Sequence, residues 1–409
     1  MTTLAECEAR DAADPLAGFR DRFALPDGVV YLDGNSLGAQ PRATAGRLAR
    51  VIEDEWGRGL VRSWNEAGWY DAPRRVGAKI ARLVGARDDE VIVADSTSVN
   101  LYKLLCAALA ADPARDTILT VPGDFPTDRY IAEGIAAGRP GVAFRMAPAD
   151  DIVAAAGPAT VVLLTHVHYR TGARLDLPAI DRAVRERGGT VVWDLSHSAG
   201  AVEIDLGAAG AELAVASGYK YLNGGPGAPA FLFVARHLQT RLNSPLAGWL
   251  THADPFAFSD DYLAAPGLER FQCGTPPILS LAALECGVDL HLEADMRPLA
   301  AKGQALCDLF IDRVETRCAG HDLELVTPRD PKARGSHVSF RHPHAYAVMQ
   351  ALIARGVIGD FREPDVIRFG FAPLYNGFAD AWRGAEALAR VLESRAWDDT
   401  AFRVRARVT

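Results

Sequence analysis

The sequence predicts an α/β protein with a mainly parallel, doubly wound sheet, followed by a smaller α+β domain. Short apolar runs alternate with segments of helical periodicity up to about residue 234, which is the order that a parallel sheet requires. The last hundred residues change to a strand–helix–strand rhythm, and 409 residues exceed what one hydrophobic core usually supports. We expect an N-terminal segment (1–50) joined to the small domain, a large domain (51–290) and a small C-terminal α+β domain (291–409).

Composition excludes several classes of function. Hydrophobic residues make up 49% of the chain and charged residues 23%, as in globular proteins. A net charge of −8 without a basic block argues against nucleic acid and membrane partners, and no run of about 18 apolar residues occurs. The polar N-terminus lacks the apolar core of a secretion signal, and the six cysteines form no CxxC pair. We therefore expect a cytoplasmic protein with reduced thiols.

The first elements are a short strand and two helices. Val29–Leu32 has the composition of a strand and opens into the polar turn cluster Asp33–Gly38, which is either an ordinary turn or a ligand loop. A helix is expected from Arg42 to Glu55 with Pro41 at its start. Helical spacing returns from Pro73 to Val84.

Hydroxyl side chains follow the next strand. The strand Val91–Val93 is succeeded by Ser96, Thr97 and Ser98 before a helix that reaches Leu109. One hydroxyl is explained by helix capping. Three in a row at the positive end of a helix favour a bound phosphate about as strongly as capping alone.

Two further strands end in polar or aromatic residues. Thr117–Val121 leads to Phe125, which either stacks on a planar ring or packs in a turn, and to Asp128. Val161–Leu164 ends in Thr165-His166-Val167-His168, where alternation places both histidines on one face. A zinc site is disfavoured because no third ligand stands at a suitable spacing.

The central stretch contains the strand Val191–Trp193, which ends on Asp194 with His197 in the following turn. A second apolar run, Leu213–Ala216, leads to Tyr219-Lys220 and a glycine-rich loop. Ligands of open α/β sheets lie beyond the carboxyl ends of the strands. A pyridoxal phosphate enzyme needs a lysine that forms an imine with the cofactor and a carboxylate that keeps the pyridine nitrogen protonated. Each residue alone has an ordinary structural explanation, whereas the combination favours this cofactor.

The remaining elements are helical periodicity over residues 278–315, a strand at His337–Phe340, a helix at His344–Arg355 and a strand at Val366–Phe371. Arg368 stands between apolar residues of the last strand. Such an arginine usually forms a surface salt bridge. Beside Lys220, it would instead be the planar fork suited to a substrate carboxylate.

These residues and their surroundings resemble the kynureninase family. The resemblance covers nearly the whole chain in the motifs YLDGNSLGAQPR, EDEWGRGLVRSWNEAGW, DSTSVNLYK, FPTDRYIAEG, LTHVHYRTG, WDLSHSAGAV, YKYLNGGPG, CGTPPI, RGSHVSF, RGVIGDFREP and IRFGFAPLY. It implies a fold-type I, class V aminotransferase-like enzyme with pyridoxal 5'-phosphate as cofactor. The reaction it implies is hydrolysis of L-kynurenine, or 3-hydroxy-L-kynurenine, to the anthranilate and L-alanine in tryptophan breakdown.

The resemblance also implies roles for individual residues. Lys220 would hold the cofactor covalently, Asp194 would pair with the pyridine nitrogen, and Tyr219 would contact the phosphate and transfer protons. The other implied cofactor residues are Ser96, Thr97, Phe125, Asp128, Thr165, His197, Trp249 and Thr275. Trp249 and Thr275 would reach the cofactor of a second subunit, which implies a homodimer with shared sites. Arg368 would bind the substrate α-carboxylate, together with Asn35 and Ser36 in the ligand loop.

Alternatives remain at the level of sequence. Within the fold class they are an aminotransferase or a cysteine desulfurase, for which Cys273 is the only cysteine near the motifs. From another class, a non-catalytic nucleotide-binding protein would use the glycine-rich loop, although NGGPG lacks the P-loop spacing. The departures from the family pattern at Ser196, His168 and Ser217-Gly218 bear on substrate preference.

Overall fold

The computed structural model describes residues 2–405. Met1 and residues 406–409, which belong to the first and last predicted segments, lie outside this range. Within it, the chain forms a seven-stranded sheet, a four-stranded sheet and a two-stranded sheet. The strands are β1 (Val30–Tyr31), β2 (Val91–Val93), β3 (Thr117–Thr120), β4 (Ala143–Met146), β5 (Thr160–Thr165), β6 (Thr190–Asp194), β7 (Leu213–Ala216), β8 (Phe231–Val234), β9 (Glu324–Leu325), β10 (His337–Arg341), β11 (Val357–Ile358), β12 (Asp360–Arg362) and β13 (Val366–Gly370).

Helices cover both faces of the large sheet and pack on the small one. They are α1 (Leu4–Ala12), α2 (Arg42–Arg50), α3 (Ser63–Glu66), α4 (Ala72–Leu83), α5 (Thr97–Ala110), α6 (Pro126–Gly138), α7 (Ile152–Ala155), α8 (Leu177–Glu186), α9 (Leu206–Ala209), α10 (Ile278–Ala294), α11 (Met296–Arg317), α12 (Ala345–Ile353) and α13 (Phe378–Glu393). No helix of residues 2–405 is long and apolar enough to cross a membrane.

The large sheet has the order β2-β8-β7-β6-β5-β3-β4. β8 runs antiparallel to both of its neighbours, and the other pairings are parallel. Strands β5, β6 and β7 are buried along their whole length, as their continuous apolar runs predict for strands covered on both faces. This arrangement confirms the predicted α/β class and the mainly parallel sheet.

The small sheet is antiparallel with the order β12-β13-β10-β9, and β1 pairs with β11 in parallel. One hydrophobic core combines Cys7 and Leu32 with residues from 306 to 397, while two others flank the large sheet. The predicted division of the chain into domains stays a prediction. The boundaries at residues 50 and 290 stay predictions.

Two helix predictions need correction. The helix expected over residues 42–55 is α-helical only to Arg50 and continues as a π-helix over Val51–Gly59. The Glu55 carbonyl oxygen there accepts a hydrogen bond from the Ser63 hydroxyl at 2.6 Å. The single helical stretch expected over residues 278–315 is two helices, α10 and α11, because Asp295 has a φ of 59° and caps α11 by accepting from the Arg297 N–H.

Candidate active site

The candidate site lies where the parallel strands β5, β6 and β7 end. Thr165 and Asp194, the last residues of β5 and β6, are direct partners in the sheet register. Lys220 follows the end of β7, and its Nζ lies 3.1 Å from Nε2 of His197. The same Nζ lies 5.6 Å from the ring centroid of Phe125. The sheet therefore brings together residues that the sequence had placed on three separate strands.

Lys220 has the electrostatic properties of a reactive amine. Its side chain is buried, and burial lowers the pKa of its amine to about 8, although the negative charge of Asp194 acts in the opposite direction. A lysine with this pKa has a much larger neutral fraction near physiological pH than an ordinary lysine, and the neutral amine can act as a nucleophile or as a base.

Buried carboxylates face this amine. Asp194 and Asp128 are both buried, and burial raises the pKa of each carboxyl group, with the Asp194 charge raising that of Asp128 further. Asp194 accepts a hydrogen bond from the Ser196 backbone at 2.7 Å, and Asp128 accepts one from the Thr165 hydroxyl at 3.4 Å. Oδ1 of Asp128 is buried without a partner among the described residues. Two adjacent acids of this kind are suited to a cationic or hydrogen-donating group of a ligand.

Ser96 and Thr97 stand at the N-terminus of α5. The Ser96 hydroxyl caps this 14-residue helix by accepting from the Val99 N–H at 3.3 Å, and Asp95 before it has a φ of 48°. A cavity of about 740 Å³ is lined by Ser96, Tyr219 and Thr275. The helix end opens into this cavity, as an anion site requires.

A buried lysine holds the loop before α5 in place. Lys103 is fully buried and forms an ion pair with Asp95, and it donates to the Phe271 carbonyl oxygen at 2.5 Å and to Oδ1 of Asn100 at 3.3 Å. All of its donors have acceptors, which a buried ammonium needs. It thereby ties Asp95 to the segment that continues into the Gln272–Pro277 wall of the cavity.

The loop Asp33–Gly38 packs directly on the Tyr219-Lys220 segment. The Gly38 N–H donates to the Tyr219 carbonyl oxygen at 2.9 Å. A Cβ atom at Gly38 would lie 2.3 Å from the Lys220 carbonyl oxygen, so only glycine fits this approach. This contact places Ser36 at the cavity wall.

Arg368 is not the surface salt-bridge residue that its sequence context usually indicates. It is buried, and its Nε donates to Oδ1 of Asp360 at 2.8 Å while Nη2 contacts Oδ2 of the same carboxylate. Nη2 also donates to the Ser36 hydroxyl at 2.8 Å, and Nη1 donates to the Tyr169 carbonyl oxygen. With its amide oxygen turned toward the guanidinium, Asn35 accepts at 2.8 and 3.1 Å. The structure thus brings Arg368, Asn35 and Ser36 together, and their role toward a substrate stays a prediction.

Trp249 and Thr275 lie at the edge of this arrangement. Trp249 is 43% exposed, and its ring contacts Phe256 with a centroid distance of 5.7 Å. Thr275 is exposed and lines the cavity. Their predicted roles toward a second subunit stay predictions.

The two histidines after β5 have separate partners. Nε2 of His166 accepts from Arg174 at 3.3 Å, whereas Nε2 of His168 lies 2.9 Å from the Gly123 carbonyl oxygen. Across residues 2–405, no group of three or more His, Cys, Asp or Glu side chains is placed to hold a metal ion.

Cys273 lies 3.6 Å from a carboxylate oxygen of Asp95, and burial raises the pKa of its thiol. A thiol with a raised pKa is a poor nucleophile.

Comparisons with known proteins decide the family. The chain is 51% identical to a kynureninase of Burkholderia mallei (strain SAVP1) and 50% identical to one of Pseudomonas fluorescens, each over 416 aligned residues and 100% of both chains. The chain belongs to the kynureninase family. A family profile described as "Kynureninase C-terminal domain" matches residues 299–388. The resemblance read from the motifs is confirmed.

Solved structures with this fold include pyridoxal phosphate enzymes. The apo cysteine desulfurase of Thermococcus onnurineus NA1 matches with a TM-score of 0.78 at 18% identity, covering 92% of this chain and 98% of that one. A lysine-to-alanine mutant of C-DES, with glycine covalently linked to its PLP cofactor, matches with a TM-score of 0.80 at 17% identity, covering 90% and 98%. These matches confirm fold type I for this member of the kynureninase family.

The residues present fit pyridoxal phosphate. The buried amine of Lys220 is complementary to an aldehyde, and the buried carboxylate of Asp194, with the unpartnered Oδ1 of Asp128 near it, is complementary to a protonated ring nitrogen. Nδ1 of His197 is likewise buried without a partner among residues 2–405. The N-terminus of α5 offers donors to a phosphate, and the half-buried ring of Phe125 faces the amine.

Several residues of the site were not predicted from the sequence. Asp360 and Arg362 surround Ser36, Asp124 accepts from the Thr165 N–H at 3.1 Å, and His337 lies against His197 with a ring-centroid distance of 5.4 Å. The charged residues of the motif RGVIGDFREP, set between apolar strands, were the available signal for Asp360 and Arg362. His337 lies in the motif RGSHVSF, which was the available signal for it.

Proposed function

We propose that this member of the kynureninase family hydrolyses the bond between the β and γ carbons of L-kynurenine, or of its 3-hydroxy derivative, to the anthranilate and L-alanine. The observation that carries the proposal is the buried Lys220 amine, which has a pKa of about 8 and faces two buried carboxylates. The N-terminus of α5, whose N–H groups can bind a phosphate, lies beside them. Full-length identity of about 50% to named kynureninases supports the substrate class.

Pyridoxal phosphate, when bound, supplies an electron sink for the electron pair left at the substrate α carbon. Ser96 and Thr97 would bind its phosphate, Phe125 would stack on its ring, and Asp194 would hold the proton of its ring nitrogen with support from Asp128 and Thr165. A carboxylate in such contact raises the pKa of its partner by ~1–3 units.

Lys220 and Tyr219 carry the proton transfers in this proposal. Nζ of Lys220 takes the proton from the α carbon, because its pKa of about 8 leaves a far larger neutral fraction near pH 7 than an ordinary lysine has. His197, whose Nε2 lies 3.1 Å away, is placed to exchange a proton with this amine. The Tyr219 hydroxyl transfers a second proton. Each general acid–base step is worth ~10²–10⁴-fold in rate.

The hydrolytic step consumes one water. Water adds to the γ carbonyl, the bond between the β and γ carbons breaks, and the β carbon of the alanine fragment takes up a proton. Arg368, Asn35 and Ser36 hold the amino acid end of the substrate so that the aryl ketone lies toward the open cavity. A cysteine desulfurase reaction is not favoured, because Cys273 is held against Asp95 and burial raises the pKa of its thiol.

We also propose a homodimer with shared sites and a cytoplasmic location. Trp249, Phe256 and Phe258 expose large apolar surfaces, which are unusual on monomers. All six cysteines are free, as expected for a reducing compartment.

Mixing Lys220→Ala and Trp249→Ala proteins tests shared sites. If the mixture gains activity that neither variant has alone, shared sites are supported. If the mixture is as inactive as the separate variants, shared sites are contradicted.

The function is tested with purified holoenzyme and L-kynurenine. Anthranilate fluorescence and free alanine are followed together, with Lys220→Ala as the control variant. Equimolar products that disappear in the variant support the proposal. A yellow protein that forms neither product would redirect the assignment to an aminotransferase.

A further inference from the structure

The turn after β6 contains a serine, Ser196, that is bonded to two functional segments at once. Its backbone N–H donates to Oδ1 of Asp194 at 2.7 Å, and its hydroxyl oxygen accepts from the Ser217 N–H at 3.0 Å. Ser217 stands three residues before Lys220, and Ser196, Asp194 and Ser217 are all buried. Ser196 therefore lies between the proposed partner of the ring nitrogen and the segment that carries the reactive lysine.

The Ser196 hydroxyl replaces a backbone acceptor at the point where β6 and β7 end. The Leu195 N–H donates to the Val215 carbonyl oxygen at 2.8 Å, so the next bond of a parallel ladder would run from the Ser217 N–H to the Leu195 carbonyl oxygen. That oxygen instead accepts from two N–H groups of the following turn, each at 2.8 Å. The Ser196 hydroxyl is the acceptor for the buried Ser217 N–H, which would be unpaired without it.

The proton of this hydroxyl needs an acceptor of its own. A serine hydroxyl has one O–H donor, and buried donors are almost always paired. The acceptor is the Asp194 carboxylate: burial raises the pKa of Asp194, whereas the charge of Lys220 and hydrogen bonds from the hydroxyl and the N–H of Ser196 lower it. The Ser217 N–H, the Ser196 hydroxyl and the Asp194 carboxylate thus form one chain of hydrogen bonds, in which each bond strengthens the next.

Asp194 depends on such bonds for its charge. Burial and the charge of Asp124 oppose its ionised form. The charge of Lys220 favours ionisation, but in the holoenzyme that amine would be bonded to the cofactor. The hydrogen bonds from Ser196 do not depend on the state of the amine, so they stabilise the carboxylate whether or not the cofactor is bound.

We propose that Ser196 is a positioning residue for Asp194: its hydroxyl relays a hydrogen bond from the Ser217 N–H and holds the Asp194 carboxylate ionised and in one orientation for the ring nitrogen of the cofactor. This inference rests on the proposed function, in which Asp194 pairs with that nitrogen. It gives Ser196 an effect on the cofactor, whereas the sequence indicated an effect on substrate preference.

The test observes the ring nitrogen itself, by solid-state NMR of holoenzyme prepared with ¹⁵N-labelled pyridoxal phosphate, which needs no turnover. Ser196→Ala is compared with Ser198→Ala, a buried serine of the same turn whose hydroxyl has no partner among residues 2–405. We expect the ¹⁵N signal of Ser196→Ala to move toward that of an unprotonated pyridine, because a carboxylate that loses a hydrogen bond holds the shared proton more strongly. We also expect kcat for L-kynurenine to fall by ~10–100-fold, the usual effect of losing a hydrogen bond to a charged group, and Ser198→Ala to match the wild type.

A double variant separates this role from a merely structural one. In Asp194→Asn protein the ring nitrogen has already lost its carboxylate partner, so adding Ser196→Ala should change neither the ¹⁵N signal nor kcat further. A defect that reaches the site through the Lys220 segment would instead persist in this background. Full additivity of the two changes, an unchanged ¹⁵N signal in Ser196→Ala, or the same shift in Ser198→Ala overturns the proposal.

Two further outcomes are informative. Ser196→Cys, which has a weaker S–H donor, serves if the alanine variant does not fold, and its ¹⁵N signal should move in the same direction by less. If the ¹⁵N signal responds as expected but kynurenine is not cleaved, the proposed function fails and the role of Ser196 toward the cofactor stands.

Discussion

Lys220 is the residue on which the proposed chemistry depends. Its amine is buried beside His197 and Phe125, and burial lowers its pKa from 10.5 to about 8. Because the folded-state pKa is lowered, the charged form destabilises the folded protein at low pH, and this penalty disappears as the pH rises above the unfolded value. The same shift makes the amine available for reaction near neutral pH.

The pH dependence of Lys220 can be measured directly. In protein freed of cofactor, the rate of imine formation with pyridoxal phosphate should rise with an inflection near pH 8, where this amine loses its proton. Stopped-flow absorbance follows the reaction, and Lys220→Ala should lack the fast phase. An inflection near the ordinary lysine value of about 10.4 would contradict the proposed role of burial.

Asp194 is expected to act through the ring nitrogen of the cofactor. Asp194→Asn removes the carboxylate that would raise the pKa of the ring nitrogen by ~1–3 units, so we expect kcat to fall by ~10–1,000-fold. Cofactor binding should persist, because the phosphate contacts at Ser96 are untouched. Steady-state kinetics and cofactor absorbance are the measurements, and an unchanged kcat would exclude the proposed role.

Arg368 shows the limit of reading one residue at a time. A charge between apolar strand residues was taken as a possible site residue, and its fork was expected to be open to a substrate carboxylate. In the structure the N–H donors of that fork bind Asp360, which is the partner of Arg368 in the pairing of β12 with β13. The contact between Ser36 and Asp360 spans 324 residues of sequence, so no local pattern could reveal it.

At the scale of elements, the loop between β1 and α2 owes its position to one glycine. Gly38→Ala would place a Cβ atom 2.3 Å from the Lys220 carbonyl oxygen, and backbone must move to relieve the contact. We expect a loss of ~1–3 kcal/mol in stability, as for overpacking elsewhere, and a clear drop in kcat/KM. Gly46→Ala in α2, where a Cβ atom meets nothing within 4 Å, is the matched control and should stabilise by ~1 kcal/mol. Equal behaviour of the two variants in chemical denaturation and kinetics would refute this interpretation.

The connection between α5 and the Gln272–Pro277 wall predicts a selective defect. Lys103→Met leaves Asp95 without its buried partner and frees the Phe271 carbonyl oxygen, so the loop at Ser96 should lose its fixed position. We expect weaker binding of pyridoxal phosphate but not of pyridoxal, which has no phosphate, in titrations of the cofactor-free protein. A general loss of both affinities would indicate unfolding instead.

Strands were easier to predict than helix boundaries. The buried runs of β5, β6 and β7 carry their own signal, because a strand covered on both faces is apolar throughout. The break between α10 and α11 had a weaker signal in Asp295, a capping residue type that periodicity alone overlooks. In the π-helix after Arg50 the Glu55 carbonyl oxygen accepts from the Ser63 hydroxyl eight residues later, a contact that helical periodicity does not reveal.

At the scale of the whole molecule, the order of strands predicted from the sequence was enough to predict which residues of the large domain form the site. Asp194, Thr165 and Lys220 were each expected at a strand end, and the parallel sheet gathers such ends at one edge. The small-domain part of the site was predicted less completely. Arg362 and Asp360 reach it only because β12 and β13 pack beside the Ser36 loop.

The central claim is that water cleaves the carbon–carbon bond of kynurenine at the Lys220 site. The most direct measurement is to run the reaction in ¹⁸O-labelled water and analyse anthranilate by mass spectrometry, with Lys220→Ala alongside. We expect one labelled oxygen in the anthranilate carboxylate, an equal amount of alanine, and no product from the variant. Formation of a keto acid in place of anthranilate, or unlabelled anthranilate, would contradict the claim.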